Sequence, residues 1–132
     1  MSTRCNVVIR DRHNSKLCFY RHSDGYPEGT LPTLREFMEL VKKGTIRRNV
    51  EQSAGWLILI GAREYNTFSP NTPIEPNTWK CGAYEPCVPS IENEQTPNDD
   101  IQFLYFLDLE KLTITITNLR EGLRDSPHTF HI

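Results

Sequence analysis

No stretch of this 132-residue chain is apolar for the roughly 18–20 residues that a membrane-spanning helix needs. The longest apolar run, Trp56 to Ala62, is broken only by Gly61 and suits a buried core element. Residues Met1 to Asn6 hold nothing like the apolar stretch of a secretory signal, so a cytoplasmic protein is expected. The four cysteines, Cys5, Cys18, Cys81 and Cys87, include no CxxC pair, which speaks against the common structural zinc and thioredoxin-type sites. No Gly-rich phosphate loop, HExxH helix or paired metal-carboxylate motif occurs. Catalytic sets are equally thin. Ser23, His22 and Asp24 are chain neighbours, a spacing that rarely yields triad geometry. Cys5 or Ser2 would become an N-terminal nucleophile only after processing. No cofactor and no metal is implied.

What is present is an ordinary globular balance, 37% apolar and 24% charged residues, in a length that fits one domain spanning 1–132. The net charge of −2 hides an asymmetry. Residues 1–48 hold ten Lys/Arg against five acids, and residues 49–132 hold five against twelve. Such a split gives the folded molecule a basic face unless the two halves interleave in one sheet. In strand-like runs Cys5 and Cys18 are expected to behave as small core hydrophobes. A zinc site drawn from Cys81, Cys87, His128 and His131 is the alternative for the remaining pair.

Residues 5–11 alternate Cys5, Val7, Ile9 with Asn6, Val8, Arg10, the period of a strand, and Lys16 to Arg21 is a second such run. Turn formers at 12–15 join them into an antiparallel hairpin. A four-residue turn would set Ile9 near Cys18 and Val7 near Tyr20. Thr33 and Glu36 have capping-box spacing, and Leu34, Phe37, Met38 and Val41 form a helical stripe that stops at Gly44. Asn49 caps a second helix reaching about Tyr65, with apolar residues almost all round as in a helix buried on both sides; Trp56 to Ile60 reads alternatively as a central strand. Residues 66–100 carry six prolines and read as a long loop, with a short strand near Trp79 to Tyr84. Ile101 to Leu109 and Leu112 to Thr117 alternate cleanly and pair as a hairpin, Leu107 with Ile114 and Tyr105 with Ile116. Glu110-Lys111 is a poor two-residue turn, so a wider loop fits as well. Residues 120–132 read as a turn and an exposed tail. The order β-β-α-α-loop-β-β predicts an α+β fold, a mainly antiparallel sheet with two helices packed on one face.

The chemically distinctive stretch is Arg21-His22-Ser23-Asp24-Gly25-Tyr26-Pro27-Glu28-Gly29. Asp24-Gly25 is a turn pair and Pro27 restricts Tyr26 to extended backbone. It reads either as a structured connection whose tyrosine plugs the core, or as a rigid loop presenting polar groups to a ligand. In the second case Arg21 offers a fork for phosphate or carboxylate and Tyr26 a face for a base. If the long loop folds over it, Arg21, Tyr26, Trp79, Lys80 and Tyr84 would line a pocket; otherwise Trp79 and Tyr84 pin the loop to the core. The candidate ligand-binding residues are thus Arg21, His22, Asp24, Tyr26, Glu28, Trp79, Lys80 and Tyr84. His22 with Asp24 or Glu28 is the one plausible acid-base pair.

Tyr20-Arg21-x-x-Asp24-Gly25-Tyr26-Pro27-x-Gly29, with Thr3-Arg4 opening the first strand and Tyr105-Phe106-Leu107-Asp108-Leu109 near the end, resembles a family of small proteins encoded by bacteria and their phages. The resemblance covers about two thirds of the chain and brings no catalytic residues with it. It implies a prokaryotic or phage setting; with that, small size and absent catalytic motifs suit a non-enzymatic phage or mobile-element protein that blocks a host immune protein or sequesters a small nucleotide in the host cytoplasm. The competing expectation is a small enzyme acting on a nucleotide or phosphorylated substrate through His22. A nucleic-acid partner is disfavoured by the acidic balance. Oligomeric state is not legible.

Overall fold

The alternating run at the start of the chain becomes the middle of a sheet. The computed structural model describes residues 2–65, 82–87, 100–120 and 126–132. In chain order the elements are β1 (Cys5–Arg10), β2 (Lys16–Arg21), α1 (Pro27–Lys42), α2 (Val50–Glu64), β3 (Glu85–Cys87), β4 (Phe103–Asp108), β5 (Thr113–Asn118) and β6 (His128–His131). The strands lie in the order β3-β2-β1-β4-β5-β6. All neighbours are antiparallel except β1 and β4, which run parallel because both helices lie in the crossover between the two hairpins. This is an α+β fold with two helices on one face of a mostly antiparallel sheet. No described helix is long and apolar enough to cross a membrane.

A central strand is buried on both faces, and β1 shows it. Cys5, Val7 and Ile9 enter the core shared with Leu34, Phe37, Met38 and Val41 of α1 and Val50, Leu57 and Ile60 of α2. Each such side chain contributes about 1.5–3 kcal/mol on burial. Asn6 and Val8, on the other face, are buried as well, and the Asn6 amide donates to the Phe19 carbonyl at 3.1 Å. Cys5 and Cys18 are core thiols, and burial pushes Cys5 up to about 12. Cys87 stands opposite Cys18 on β3, at the sheet edge farthest from His128 and His131 on β6. Five strand spacings, about 24 Å, separate those edges, so a zinc site joining Cys87 to these histidines is ruled out by topology.

Several expectations are corrected. The first hairpin pairs Ile9 with Leu17 and Val7 with Phe19, one residue from the expected register, because residues 11–15 make a five-residue turn with Asn14 in the left-handed region (φ 63°). The second hairpin keeps the expected pairs, Leu107 with Ile114 and Tyr105 with Ile116, across a wider turn at 109–112. α1 begins at Pro27, well before Thr33, since proline at the first helical position gives up an amide that has no intrahelical partner anyway. Pro32 therefore lies inside the helix, and the Thr33 hydroxyl bonds back to the Thr30 carbonyl at 3.1 Å instead of capping. α2 has the expected bounds, but only one face is buried; Trp56, Ile58 and Leu59 are 40%, 36% and 42% exposed. The expected tail at 120–132 instead contributes β6, an edge strand pairing Ile114 with Phe130 and Ile116 with His128. The long-loop expectation for 66–100 falls largely on residues outside those described, apart from β3 and its neighbours.

Asn49 precedes α2 with extended backbone, yet its side chain makes no cap hydrogen bond. Asp11 caps the helix instead. Its Oδ2 accepts the Val50 amide at 3.2 Å, and its Oδ1 accepts the His13 and Ser15 amides at 3.0 and 3.2 Å. Burial alone would raise this carboxyl, but those three amide bonds outweigh it and hold its pKa below the ordinary value of 3.8. The folded group ionises more readily than the unfolded one, so its contribution is complete above the unfolded pKa and lost as pH falls through the folded one. Asp11→Ala is expected to lower unfolding free energy by about 2 kcal/mol at pH 7. The gap to the parent protein should narrow below about pH 4, as read from urea melts across pH.

Candidate functional site

Arg21 ends β2 on the helix-covered face and is 1% exposed. A buried guanidinium must have its donors met, and this one does. Nε donates to the Ser23 carbonyl at 2.8 Å, Nη2 to the Gly29 carbonyl at 3.1 Å, and Nη1 and Nη2 form a fork to Glu64 of α2 at 3.1 and 2.7 Å. The cation also lies over the rings of Tyr84 and Tyr65, 5.2 and 5.8 Å from their centroids. Burial alone would lower its pKa, but the Glu64 fork outweighs that and holds it charged. Tyr84 is likewise 1% exposed, and its hydroxyl meets the Thr33 hydroxyl. Gly61 lets this segment approach α2, since a Cβ there would stand 2.9 Å from the Tyr84 amide nitrogen.

The expected convergence of residues 21–29 with Tyr84 therefore occurs, but as solid packing. Arg21 and Tyr84 face each other in contact and both are 1% exposed, so neither presents a free face to a ligand among the described residues. Trp79 and Lys80 lie outside the described residues. His22 is exposed, its Nδ1 2.7 Å from the Tyr20 hydroxyl. Asp24, in the left-handed region (φ 58°), uses its carbonyl to accept the Thr30 hydroxyl at 2.8 Å and its carboxylate to accept the Tyr26 hydroxyl at 3.2 Å. That carboxylate raises the Tyr26 phenol pKa. Gly25 fits where it does because a Cβ would lie 2.9 Å from the Thr3 carbonyl oxygen; its own carbonyl accepts the Tyr105 hydroxyl at 2.7 Å.

Tyr26 is not a core plug. It is 39% exposed and, with Pro27 and Glu28, forms one wall of an open cleft of about 430 Å³ at the start of α1. The opposite wall comes from Phe103, Ile116, Asn118, Arg120, Ser126 and His128. The Arg120 guanidinium lies 4.8 Å from the Phe103 ring centroid and its Nε donates to Asn118 Oδ1 at 3.2 Å. Its Nη groups make no hydrogen bond among the described residues. Of the eight expected ligand-binding residues, two line this cleft: Tyr26 and Glu28. Arg120 and His128 were missed because their segment reads as a tail; the only signal was the short alternation His128-Thr129-Phe130-His131.

The wall that carries Tyr26 and Glu28 depends on Arg21. Arg21→Met is expected to cost about 3 kcal/mol or more of unfolding free energy, because Glu64 loses its fork and two carbonyls lose donors. Arg21→Lys should fall between the two, a single ammonium being unable to meet all four acceptors; urea denaturation of the three proteins is the measurement. No protein-family model, curated protein or solved structure matches this chain, so the site stands on its own geometry.

Proposed function

We propose that the protein is a non-enzymatic binding protein that holds a small nucleotide-like ligand in the cleft between the start of α1 and the β5–β6 edge. The observation that carries this reading is the pairing, across one open 430 Å³ cleft, of an aromatic wall at Tyr26 with the part-free guanidinium of Arg120. A cleft of this size with mixed apolar and polar walls suits a drug-sized molecule. A base stacks on Tyr26, a phosphate meets the Arg120 fork, and Glu28 accepts from ribose hydroxyls. Binding without turnover is favoured because His22 contacts Tyr20 and Asp24 accepts from Tyr26, so the expected pair of His22 with Asp24 is not assembled. The phage or mobile-element setting, and a counter-defence role in which a signalling nucleotide is sequestered, rest on the resemblance of residues 20–29.

Nucleoside monophosphates titrated into the full chain and followed by backbone amide NMR provide the test. Shifts are expected at residues 26–28, 118–120 and 128, with the nucleotide recovered unchanged. Arg120→Ala should weaken binding about 10-fold or more, the usual effect of losing a charge-assisted hydrogen bond. Absence of saturable shifts at these residues overturns the reading. Nucleotide breakdown that His22→Ala abolishes would replace it with the enzymatic one.

A further inference from the structure

The basic surplus of the first 48 residues is partly offset by folding. Arg4 pairs with Asp100, Arg10 with Asp108 and Arg21 with Glu64, each joining a base of the first half to an acid of the second. Arg63 pairs with Glu36 in the reverse sense. Arg35 and Arg120 lie over the rings of Phe130 and Phe103. Among the described arginines, that leaves Arg12, Arg47 and Arg48 with neither an ion pair nor a cation–π contact, although Arg12 Nε donates to His13 Nε2 at 3.3 Å. All three line one hollow of about 310 Å³, together with His13, Asn49 and Glu110.

This hollow lies between the β1–β2 turn, the segment joining α1 to α2, and the β4–β5 turn. It is at the end of the sheet opposite the nucleotide cleft, about 17–20 Å away along the six-residue strands. Three guanidiniums brought together repel one another, and nearby acids do little to offset this. Asp11 is occupied by the Val50, His13 and Ser15 amides, and Asp108 by Arg10 and the Glu110 and Lys111 amides. Glu110 is the one carboxylate-bearing residue in the lining, and its described link to the arginines is a 3.5 Å contact from Arg48 to its backbone carbonyl. Three cations against one anion leave the hollow positive. Among the described residues the Asn49 Oδ1 is buried and has no donor.

We infer that this hollow binds a compact phosphoryl ligand, of which diphosphate is the simplest, independently of the nucleotide cleft. Guanidinium forks match phosphate oxygens two at a time, and three forks converging on one cavity suit more than one phosphoryl group. Near neutral pH diphosphate carries more negative charge and more acceptor oxygens than sulfate, so three guanidiniums hold it more tightly. The lining offers no aromatic wall except the His13 ring, so the phosphoryl portion is what is recognised and an attached nucleoside adds nothing. A concave hollow, rather than a long groove, favours such a group over a nucleic-acid strand.

The test is calorimetric titration of the full chain with sodium diphosphate at constant ionic strength, with ADP, sulfate and single-stranded DNA as comparison ligands. Saturable diphosphate binding is expected, with sulfate weaker; ADP, which also suits the nucleotide cleft, should keep a component of similar affinity that depends on Arg47 and Arg48. Arg47→Ala and Arg48→Ala should each weaken diphosphate about 10-fold or more. Lys43→Ala, outside the hollow, should leave it unchanged. All three arginines are exposed and outside the core, so the thermal midpoints of these variants should match the parent and loss of binding will not reflect unfolding. The proposal is overturned by no saturable binding, by equal affinity for sulfate, by an equal loss in Lys43→Ala, or by DNA binding tighter than diphosphate with a steep salt dependence.

Discussion

One buried cation organises the helix-covered end of this molecule. Arg21 leaves β2 beneath the helices and meets the Ser23 and Gly29 carbonyls, the Glu64 carboxylate and the rings of Tyr65 and Tyr84. Taking a charge out of water costs several kcal/mol, and only near-complete pairing offsets it. Arginine can do this where lysine cannot, because its planar fork serves acceptors in several directions at once. A strand end, the first turn of α1, the last turn of α2 and the segment leading into β3 are thereby held to one group.

That constraint decides what the neighbouring residues can do. Gly29 is fixed by the guanidinium, Gly25 by the Tyr105 hydroxyl and the Thr3 carbonyl, and Asp24 by Thr30. Between these anchors the backbone at Tyr26 has little freedom, and its ring stays on the surface beside the first turn of α1. The most distinctive stretch of the sequence thus splits into two roles. Arg21 and the glycines build the scaffold, while Tyr26 and Glu28 face a cleft whose other wall comes from the last described strands.

The distribution of charge follows from the sheet order. With β1 between β2 and β4, basic and acidic halves of the chain are interleaved, and every ion pair among the described residues crosses between them. Arginines without an acid partner line hollows at both ends of the sheet. One end carries Arg120 and His128 beside an aromatic wall, and the other carries Arg12, Arg47 and Arg48 around a hollow. The two ends are therefore suited to different ligand chemistry.

Local patterns in the sequence determined the α+β class, both hairpins, the bounds of α2 and the core face of α1, because periodicity and side-chain volume are local properties that burial then rewards. The partner of each buried polar group was decided only in three dimensions. Arg21 looked like a ligand-binding fork until Glu64, 43 positions away, met it. Asn49 looked like a helix cap until Asp11 from the first turn took that place. The parallel β1–β4 pair, the start of α1 at Pro27 and the edge strand β6 also lay beyond local pattern. Four residues of alternation carry too little signal, and a strand acquires its partner from chain far away. Both candidate sites were built the same way, from side chains that share no neighbourhood in the sequence and meet only because the sheet brings its loops together at each end.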